Sequence, residues 1–397
     1  MYDVAVIGAG PAGSEAAFRL ASLGYAVVLM EKGSLQREKA CGGAIQTIEL
    51  EEFGWPPDSV VEARIRGARL FDSKRNCMEV EFDSDTVSVR RSTYDTWLQD
   101  RARDAGAVVE EGSDVIDVKL GPTASVSVRD KDEVKCRAVI DASGARGVVR
   151  RQVSPSSLPD GYGMAVQRWF PFTDEEIEEL LGGRFCTVFD SSIVPMGYAW
   201  MFPKRESIAI RLGMTVASMR ESGTNLRDAL DRFVSDNPIT GTTMKGAACT
   251  LFQSAVIPME VQSPLRVENA LVIGDAAGLA NPIHGGGIYP ARLSGKLAAE
   301  AMDSFLEKGS EEPLLGYEAA IREHIWERNY RWSSMMREFF AEDEIVSYLF
   351  ENHSANPSFR RILVDLMMRF DHKSAYEGLS EILAGFFGRG ECPSSTP

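Results

Sequence analysis

The sequence predicts an α/β + α+β protein with a Rossmann-like domain, an antiparallel-sheet domain and a C-terminal helical region. Three observations support this prediction: two glycine-rich turns that follow apolar strands, a long stretch of short strands, and a helical end rich in Met, Phe and Trp. A chain of 397 residues is long enough for two or three domains. We expect a first domain of residues 1–62, 92–150 and 268–310, a second of residues 63–91 and 151–267, and a helical region of residues 311–397.

The first glycine-rich turn has the pattern of a dinucleotide-binding unit. An apolar strand is followed by Gly8, Gly10 and Gly13, a helical pattern, a second apolar run and then Glu31. Gly8 permits the sharp turn, Gly10 lets backbone N–H groups approach a pyrophosphate, and Gly13 lets the helix pack closely on the strand. The Glu31 carboxylate is placed to accept hydrogen bonds from ribose hydroxyls, although an ordinary βαβ turn is the alternative.

A second glycine-rich segment lies in the later part of the chain. An apolar run at residues 270–273 leads into Gly274 and Asp275, and a glycine run ends at Gly287, where a helix begins near Ile288. Asp275 is placed to accept a hydrogen bond from a ribityl hydroxyl. Free backbone amides at the start of that helix suit a phosphate or the electron-rich edge of a flavin ring, and a glycine-rich loop before a core helix is the alternative.

Between these segments the pattern is mostly that of strands. Residues 63–89 alternate, and residues 163–261 contain short strands with one acidic helix at 174–181 and one amphipathic helix at 226–234. This pattern predicts an antiparallel sheet.

Three aromatic residues share one face of a predicted strand in this region. The alternation of side chains in a strand places Tyr198, Trp200 and Phe202 together. Large rings on one face form an apolar wall, and simple packing of the sheet against another layer is the alternative.

The composition argues against several classes of protein. The net charge of −15 and the lack of a basic tract argue against nucleic-acid binding and against simple docking on anionic lipid. The cysteines form no CxxC pair and do not cluster with histidine, so we expect free thiols and no metal site. Without a signal peptide or an apolar run of ~20 residues, the protein is expected to be cytoplasmic. The cysteines are Cys41, Cys77, Cys136, Cys186, Cys249 and Cys392.

Taken together, the two glycine-rich segments resemble the flavoprotein superfamily that includes para-hydroxybenzoate hydroxylase and the geranylgeranyl reductases. The resemblance implies FAD as the cofactor and a para-hydroxybenzoate hydroxylase-like fold. It extends to Arg91, which matches the arginine of the family's R-x-x-[FY]-D-x-x-L segment and would face the cofactor; a solvated arginine at a helix start is the alternative. The residues assigned to FAD in this way are Gly8, Gly10, Ala12, Gly13, Glu31, Cys41, Gly42, Ala44, Arg91, Val115, Asp275, Gly287 and Ile288.

The family's third motif is only partly present. Its usual Asp-Gly pair is replaced by Asp141-Ala142-Ser143-Gly144. In the hydroxylases this segment serves both FAD and NADPH, and the shifted glycine argues against an NADPH role here. We therefore interpret residues 141–144 as a structural strand end near FAD.

The segment from Tyr198 to Lys204, with Gly213 after it, resembles the substrate motif of geranylgeranyl reductases. It implies a prenyl-binding wall of Tyr198, Trp200, Phe202, Pro203, Lys204 and Gly213. The cysteine–glycine–glycine loop that begins at Cys41 also matches the family, where such a loop meets the flavin. Cys41, Tyr198 or flavin-bound water are the candidate proton donors, and Lys204 or Arg205 would meet a phosphate head group at the cavity mouth.

The C-terminal helices are candidates for the rest of a long cavity, although helix packing is the alternative for them. Residues 382–387 are apolar and are a candidate for peripheral contact with a membrane. The candidate cavity residues are Trp332, Met335, Met336, Phe339, Phe340, Ile362, Leu363, Leu366, Met367 and Phe370.

The resemblance implies an FAD-dependent oxidoreductase that saturates the C=C bonds of geranylgeranyl chains, and archaeal ether-lipid precursors fit best as the substrate. The expected partners are a prenylated lipid and an electron donor, which NADPH, ferredoxin or another reduced flavin would equally supply; no protein partner is visible. Two alternatives remain. An FAD- and NADPH-dependent aromatic hydroxylase is disfavoured by the shifted Asp141 motif, and a prenyl carrier of the GDP-dissociation-inhibitor type is disfavoured by Glu31 and Asp275.

Overall fold

The computed structural model describes residues 1–153, 159–237, 239 and 252–388. Its helices and strands up to residue 153 are β1 (Tyr2–Ile7), α1 (Pro11–Ser22), β2 (Val27–Met30), β3 (Ala44–Ile45), α2 (Thr47–Phe53), β4 (Val61–Phe71), β5 (Cys77–Val89), α3 (Arg91–Asp104), β6 (Val108–Glu110), β7 (Val115–Lys119), β8 (Ala124–Val128), β9 (Val134–Asp141) and α4 (Val148–Val153).

The later elements begin with β10 (Gly163–Pro171), α5 (Asp174–Leu181), β11 (Arg184–Val188), β12 (Tyr198–Lys204), β13 (Ser207–Thr215), α6 (Val216–Ser222) and α7 (Leu226–Ser235). They continue with β14 (Gln253–Ile257), β15 (Arg266–Val267), β16 (Ala270–Val272), α8 (Ile288–Lys308), α9 (Glu312–Ile321), a π-helical segment (Arg322–Tyr330), α10 (Arg331–Ala341), α11 (Asp343–His353), α12 (Pro357–Met368) and α13 (Lys373–Phe387).

The first sheet is built around β1, which pairs in parallel with β2 on one side and β9 on the other. Its strand order is β15-β16-β9-β1-β2-β6, and β7 and β8 extend it from β9. Residues 4–7 are buried because helices cover the sheet, and this explains their uninterrupted apolar run. Helices α1 and α8 approach so closely that a methyl group added at Gly295 would lie 2.4 Å from the Ala12 carbonyl oxygen. The two glycine-rich segments therefore meet at one end of this sheet.

The second sheet has the order β14-β10-β13-β12-β11-β4-β5-β3. Its pairs are antiparallel as predicted, except that β11 runs parallel to β4. β4 belongs to the earlier segment of the second domain and β11 to the later one. This parallel pair therefore forms when the two segments assemble, and no hairpin connects its strands. β3 also joins this sheet through β5, although the predicted boundaries place residues 44–45 with the first domain.

Sequence analysis missed α6, which follows β13 directly. The Thr215 hydroxyl accepts a hydrogen bond from the Ser218 N–H at 3.1 Å and starts the helix. The acidic helix and the amphipathic helix predicted near it are present as α5 and α7.

The C-terminal helices pack over the second sheet. Leu349 and Phe359 of α11 and α12 share a core with Ile65 and Phe202 of β4 and β12. Within the candidate membrane segment Leu383 is fully buried and the Phe386 ring lies 5.0 Å from that of Tyr348, so much of this segment packs on neighbouring helices. Among the described residues, no helix is both long and apolar enough to cross a bilayer.

Candidate active site

Two cavities, of about 240 and 380 Å³, adjoin each other where the two sheets meet. The cavity of about 380 Å³, here called the polar cavity, lies at the end of the first sheet beside Gly10 and Glu31. The cavity of about 240 Å³, here called the apolar cavity, lies between the second sheet and the C-terminal helices. Both are lined by Cys41, Arg211 and Gly287, so the two cavities share a boundary at these residues.

The β1–α1 turn is as tight as the glycines predict. Gly8 has a φ of 102°, and a methyl group there would lie 2.3 Å from the Ala142 carbonyl oxygen. A methyl group at Gly13 would lie 2.0 Å from the Gly8 carbonyl oxygen. At Gly10 the nearest atom is 3.9 Å away, because this residue faces the polar cavity.

The Glu31 side chain closes one end of the polar cavity. It is 3% exposed, and its two oxygens accept hydrogen bonds from the Ala9 N–H at 3.0 Å and the Gly33 N–H at 3.3 Å. These bonds fix the carboxylate at the tip of β2, where sequence analysis places a ribose.

Two helices that begin at this cavity, α1 and α8, have uncapped N-termini. No side chain caps α1 or α8, and both Ala12 and Ile288 line the polar cavity at the first turn of their helices. Free amides and the positive end of the helix dipole suit a pyrophosphate at one helix and an electron-rich ring edge at the other. This donor set fits FAD. Asp275 lines the same cavity, and its Oδ2 lies 2.9 Å from Lys39 Nζ.

Arg91 is buried and is not the solvated arginine that was left open as an alternative. It is 6% exposed and forms a two-pronged pair with Asp95 at 2.7 and 2.8 Å while lining the polar cavity. Val115 lines the same cavity, whereas Gly42 and Ala44 line only the apolar one.

Asp141 lies at the end of β9, where its carboxylate accepts hydrogen bonds from the backbone that follows the strand. Its Oδ1 accepts hydrogen bonds from the Ser143 N–H and hydroxyl, and its Oδ2 accepts one from the Val149 N–H at 2.7 Å. Ser143 and Gly144 line the polar cavity beside it.

The three rings of β12 line the apolar cavity together. The Tyr198 and Trp200 ring centroids are 4.8 Å apart, and Phe202 stacks on Phe185 at the same distance. The Cys41 loop meets this wall directly, since a methyl group at Gly42 would lie 2.6 Å from the Phe202 ring. The wall therefore ends where the polar cavity begins.

Cys41 lies among positive charges at this boundary. Burial by itself would raise the pKa of its thiol, but the guanidinium groups of Arg91 and Arg211 outweigh burial and lower that pKa. The Gly43 N–H also donates to the sulfur at 3.4 Å. These contacts favour a thiolate.

Sequence analysis missed Arg211, which lines both cavities. It is 5% exposed, and its guanidinium carbon lies 4.9 Å from the centroid of the Trp200 ring. A signal was present, because Arg211 is the single charged residue within the apolar strand at 207–215.

Lys204 does not lie where sequence analysis expected it. Its ammonium group is buried, lines neither cavity, and donates hydrogen bonds to the carbonyl oxygens of Gly42 at 2.6 Å and Val89 at 2.9 Å. Burial lowers the pKa of Lys204 to about 7. It therefore holds the Cys41 loop, and it is not a contact for a head group at the mouth.

Of the other residues in the predicted substrate motif, some line the apolar cavity and some, like Lys204, do not. Gly213 lines the apolar cavity opposite Tyr198, whereas the carbonyl oxygen of Pro203 accepts a hydrogen bond from the Ser88 hydroxyl at 2.6 Å and its ring lines neither cavity. Arg205 donates to the Val61 carbonyl oxygen at 2.9 Å.

The C-terminal helices supply only part of the predicted lining. Phe340, Leu363, Leu366 and Met367 line the apolar cavity. The other candidates do not line it: Met335 is partly buried, and the rest belong to the hydrophobic core, namely Trp332, Met336, Phe339, Ile362 and Phe370.

Arg337 also lines the apolar cavity and was missed. Within the described part of the chain it makes no ion pair, in contrast to the pairs of Arg91 and Arg292. A half-buried guanidinium without a carboxylate partner is suited to bind an anion.

Four described cysteines, at 41, 77, 136 and 186, are free thiols, while Cys249 and Cys392 lie outside the described residues. In the described ranges no three His, Cys, Asp or Glu side chains are grouped as metal ligands.

Comparisons with known proteins agree with this geometry. Residues 1–330 match the FAD binding domain family. The chain is 32% identical to a geranylgeranyl diphosphate reductase from Rhodobacter capsulatus, over 81% of each chain. It is 30% identical to a digeranylgeranylglycerophospholipid reductase from Methanoculleus marisnigri, over 85% of this chain and 86% of that one.

Solved structures show the same fold. A geranylgeranyl bacteriochlorophyll reductase-like protein from Thermoplasma acidophilum superposes with a TM-score of 0.79 at 24% identity, over 96% of both chains. A flavin-dependent brominase superposes with a TM-score of 0.75 at 19% identity, over 98% of this chain and all of that one.

The fold and the two cavities define an FAD-dependent oxidoreductase with the architecture of para-hydroxybenzoate hydroxylase. Within that class, the chain belongs to the geranylgeranyl reductase family.

Proposed function

We propose that this enzyme saturates the C=C bonds of geranylgeranyl chains carried by prenylated lipids, with archaeal ether-lipid precursors as the class that fits best. The observation on which this rests is the wall of Tyr198, Trp200 and Phe202, which runs from the apolar cavity to the boundary with the polar one. The names of the relatives support the same chemistry.

The polar cavity would hold FAD through the residues that line it. Glu31 would bind the ribose, the N-terminus of α1 the pyrophosphate, and Asp275 the ribityl chain, while Gly287 and Ile288 would lie against the ring. Reduced FAD supplies a hydride to one carbon of the double bond.

Because a proton adds to the other carbon, positive charge develops on the more substituted carbon of the alkene, which is the carbon that takes the hydride. The faces of Trp200 and Tyr198 stabilise such a charge by about 0.5–2 kcal/mol for each ring. The same apolar wall excludes water, which would otherwise trap the cation. The electron donor that reduces FAD would be NADPH, ferredoxin or another reduced flavin.

We further propose that the head group of the substrate is anionic and binds at Arg337. This cation takes the place that sequence analysis gave to Lys204, because it lines the apolar cavity without an ion-pair partner in the described residues. Since such lipids reside in membranes, the enzyme would take its substrate at a membrane surface.

The test is anaerobic incubation of the dithionite-reduced holoenzyme with a geranylgeranylated lipid, followed by mass analysis. We expect the lipid to gain two hydrogens for each reduced double bond. Gain of an oxygen atom in a parallel incubation with NADPH and air would identify the hydroxylase alternative instead. An unchanged lipid in both incubations would rule out both reactions.

A further inference from the structure

Saturation of an alkene needs a proton as well as a hydride, and the apolar cavity contains one buried carboxyl group among its described lining residues. Glu49 of α2 is 1% exposed. Its Oε1 accepts hydrogen bonds from the Tyr94 hydroxyl at 2.6 Å and from Arg292 Nη1 at 3.3 Å. Its Oε2 has no hydrogen-bond partner. One oxygen of this lining residue is therefore fixed by the protein, and the other is buried without a hydrogen-bond partner.

Other titratable groups in this wall are poorer acids. Cys41 favours the thiolate, because Arg91 and Arg211 lower its pKa. Burial raises the pKa of Tyr198 far above neutrality, so its hydroxyl releases a proton reluctantly.

His284 is also unsuitable as the acid. Its Nδ1 accepts a hydrogen bond from the Gly286 N–H at 3.0 Å, so that nitrogen carries no proton. Burial lowers the pKa of His284 to about 3, and the ring is neutral at physiological pH. A neutral imidazole is a weak proton donor.

The surroundings of Glu49 favour its protonated form. The charged and titratable groups that face it are Glu15 of α1, Tyr94 of α3, and Tyr289 and Arg292 of α8. Burial and the neighbouring Glu15 carboxylate raise the pKa of Glu49, and the opposing effects of Arg292 and the Tyr94 hydrogen bond do not offset them. A carboxyl group whose pKa is raised toward the working pH is the usual general acid of a buried site.

We propose that Glu49 is the acid that protonates the alkene, an inference that rests on the proposed function. The Oε2–H bond breaks, and the π electron pair of the double bond forms a new C–H bond with that proton. The other carbon takes the hydride that reduced FAD supplies, so the alkene gains two hydrogens and FAD is left oxidised. Glu49 remains as a carboxylate and regains its proton from solvent. Tyr94 is a positioning residue that holds Oε1.

The first test compares Glu49→Gln with wild type in the dithionite-reduced holoenzyme, with geranylgeraniol as the probe. Glutamine keeps an oxygen for Tyr94 and Arg292 and removes the acidic proton. We expect kcat to fall by about 10²–10⁴-fold, with KM and FAD content unchanged. Glu51→Gln on the same helix is the control, since the exposed Glu51 binds Arg369 and neither residue lines a cavity, and its kcat should stay within about twofold.

A second measurement uses the holoenzyme without substrate and follows its thermal unfolding. A group whose pKa is higher in the folded than in the unfolded state stabilises the fold below its unfolded pKa, and this stabilisation is lost as pH rises through the folded value. The Tm of Glu49→Gln relative to wild type should therefore increase as pH rises from the unfolded pKa of Glu49 to its folded pKa. A difference that does not change with pH would show that Glu49 is not held protonated and would overturn the inference.

If Glu49→Gln loses FAD, the pH dependence of kcat in the variant Tyr94→Phe tests the role of Glu49 instead. Removing this donor destabilises the carboxylate, so the alkaline fall of kcat should shift to higher pH. An unshifted fall, or a Glu49→Gln enzyme with FAD bound and kcat within twofold of wild type, would overturn the role of Glu49 while leaving the proposed function intact. A wild-type enzyme that leaves geranylgeraniol and geranylgeranylated lipid unreduced would overturn both.

Discussion

The two cavities are built in different ways, although they share a boundary. The glycine turn of the polar cavity is shaped by backbone: Gly8 and Gly13 lie against the carbonyl oxygens of Ala142 and Gly8, which leave no room for a side chain. The apolar cavity is shaped by side chains from β12, β13 and helices far away in sequence, such as Phe340 and Leu363. FAD binding should therefore be weakened by methyl groups added in the glycine turn. Substrate turnover should be lowered by removal of aromatic rings from the apolar cavity.

The largest effect is expected from a methyl group in the polar cavity's turn. Gly13→Ala would place a carbon 2.0 Å from the Gly8 carbonyl oxygen. Overpacking of this kind costs about 1–3 kcal/mol, so FAD should bind about tenfold or more weakly. The dissociation constant of FAD measures this, with Gly33→Ala as control because nothing lies within 4 Å of its added carbon. Wild-type affinity in Gly13→Ala would refute the backbone account of this cavity.

The converse prediction concerns the aromatic wall. Trp200→Ala should lower turnover by roughly tenfold, since it removes one ring from beside the developing cation, while the flavin content stays near normal. Trp332→Ala is the control, because Trp332 lies outside the apolar cavity. If Trp200→Ala loses its flavin, Trp200 supports the fold and not the pocket, and the contrast between the cavities fails.

Arg337 tests whether the apolar cavity also recognises charge. Arg337→Met should raise the KM for geranylgeranyl diphosphate by about fivefold, because a charge-assisted hydrogen bond is lost, and leave the KM for geranylgeraniol unchanged. If Arg337→Met leaves the KM for geranylgeranyl diphosphate at its wild-type value, no anion binds at Arg337.

The boundary between the cavities is tested by the reactivity of Cys41. Because Arg211 lowers its pKa, Arg211→Met should raise that pKa and slow iodoacetamide modification at pH 7 by about threefold. Arg205→Met is the control, because Arg205 lies in the turn between β12 and β13 and lines neither cavity. Mass mapping separates Cys41 from Cys77, whose pKa is raised by burial. An unaltered rate would mean that Arg211 does not act on the thiol.

The smallest effect is expected from Lys204, whose pKa is lowered to about 7 by burial. A base with a depressed pKa stabilises the fold at high pH, and this contribution is lost as pH falls through the folded value. The Tm of wild type relative to Lys204→Met should therefore rise between about pH 7 and the ordinary lysine pKa of about 10.4. A constant difference would indicate an ammonium group that stays charged.

The contrast between the cavities also explains what the sequence was able to predict. The β1–α1 turn, Glu31 and the start of α8 are local patterns whose residues are neighbours in the chain, and the structure places all of them on the polar cavity. The rings of β12 were found because a strand alternates with a fixed period.

The apolar cavity was predicted less completely, since its wall depends on tertiary packing. Nothing local distinguishes Phe340, which lines the cavity, from Phe339, which does not. Lys204 was wrongly predicted to lie at the cavity mouth because a lysine at a strand end is usually exposed. Only the fold shows that two carbonyl oxygens accept hydrogen bonds from its buried ammonium group. Glu49 and Arg292 were missed because their ion pair joins helices far apart in sequence.

The most direct test of the account is a single-turnover experiment without oxygen. The holoenzyme is reduced with one equivalent of dithionite and mixed with geranylgeranyl diphosphate, and the absorbance of oxidised flavin is followed. We predict that the absorbance returns in step with formation of the saturated chain. Flavin that stays reduced in the presence of the prenyl substrate would contradict it.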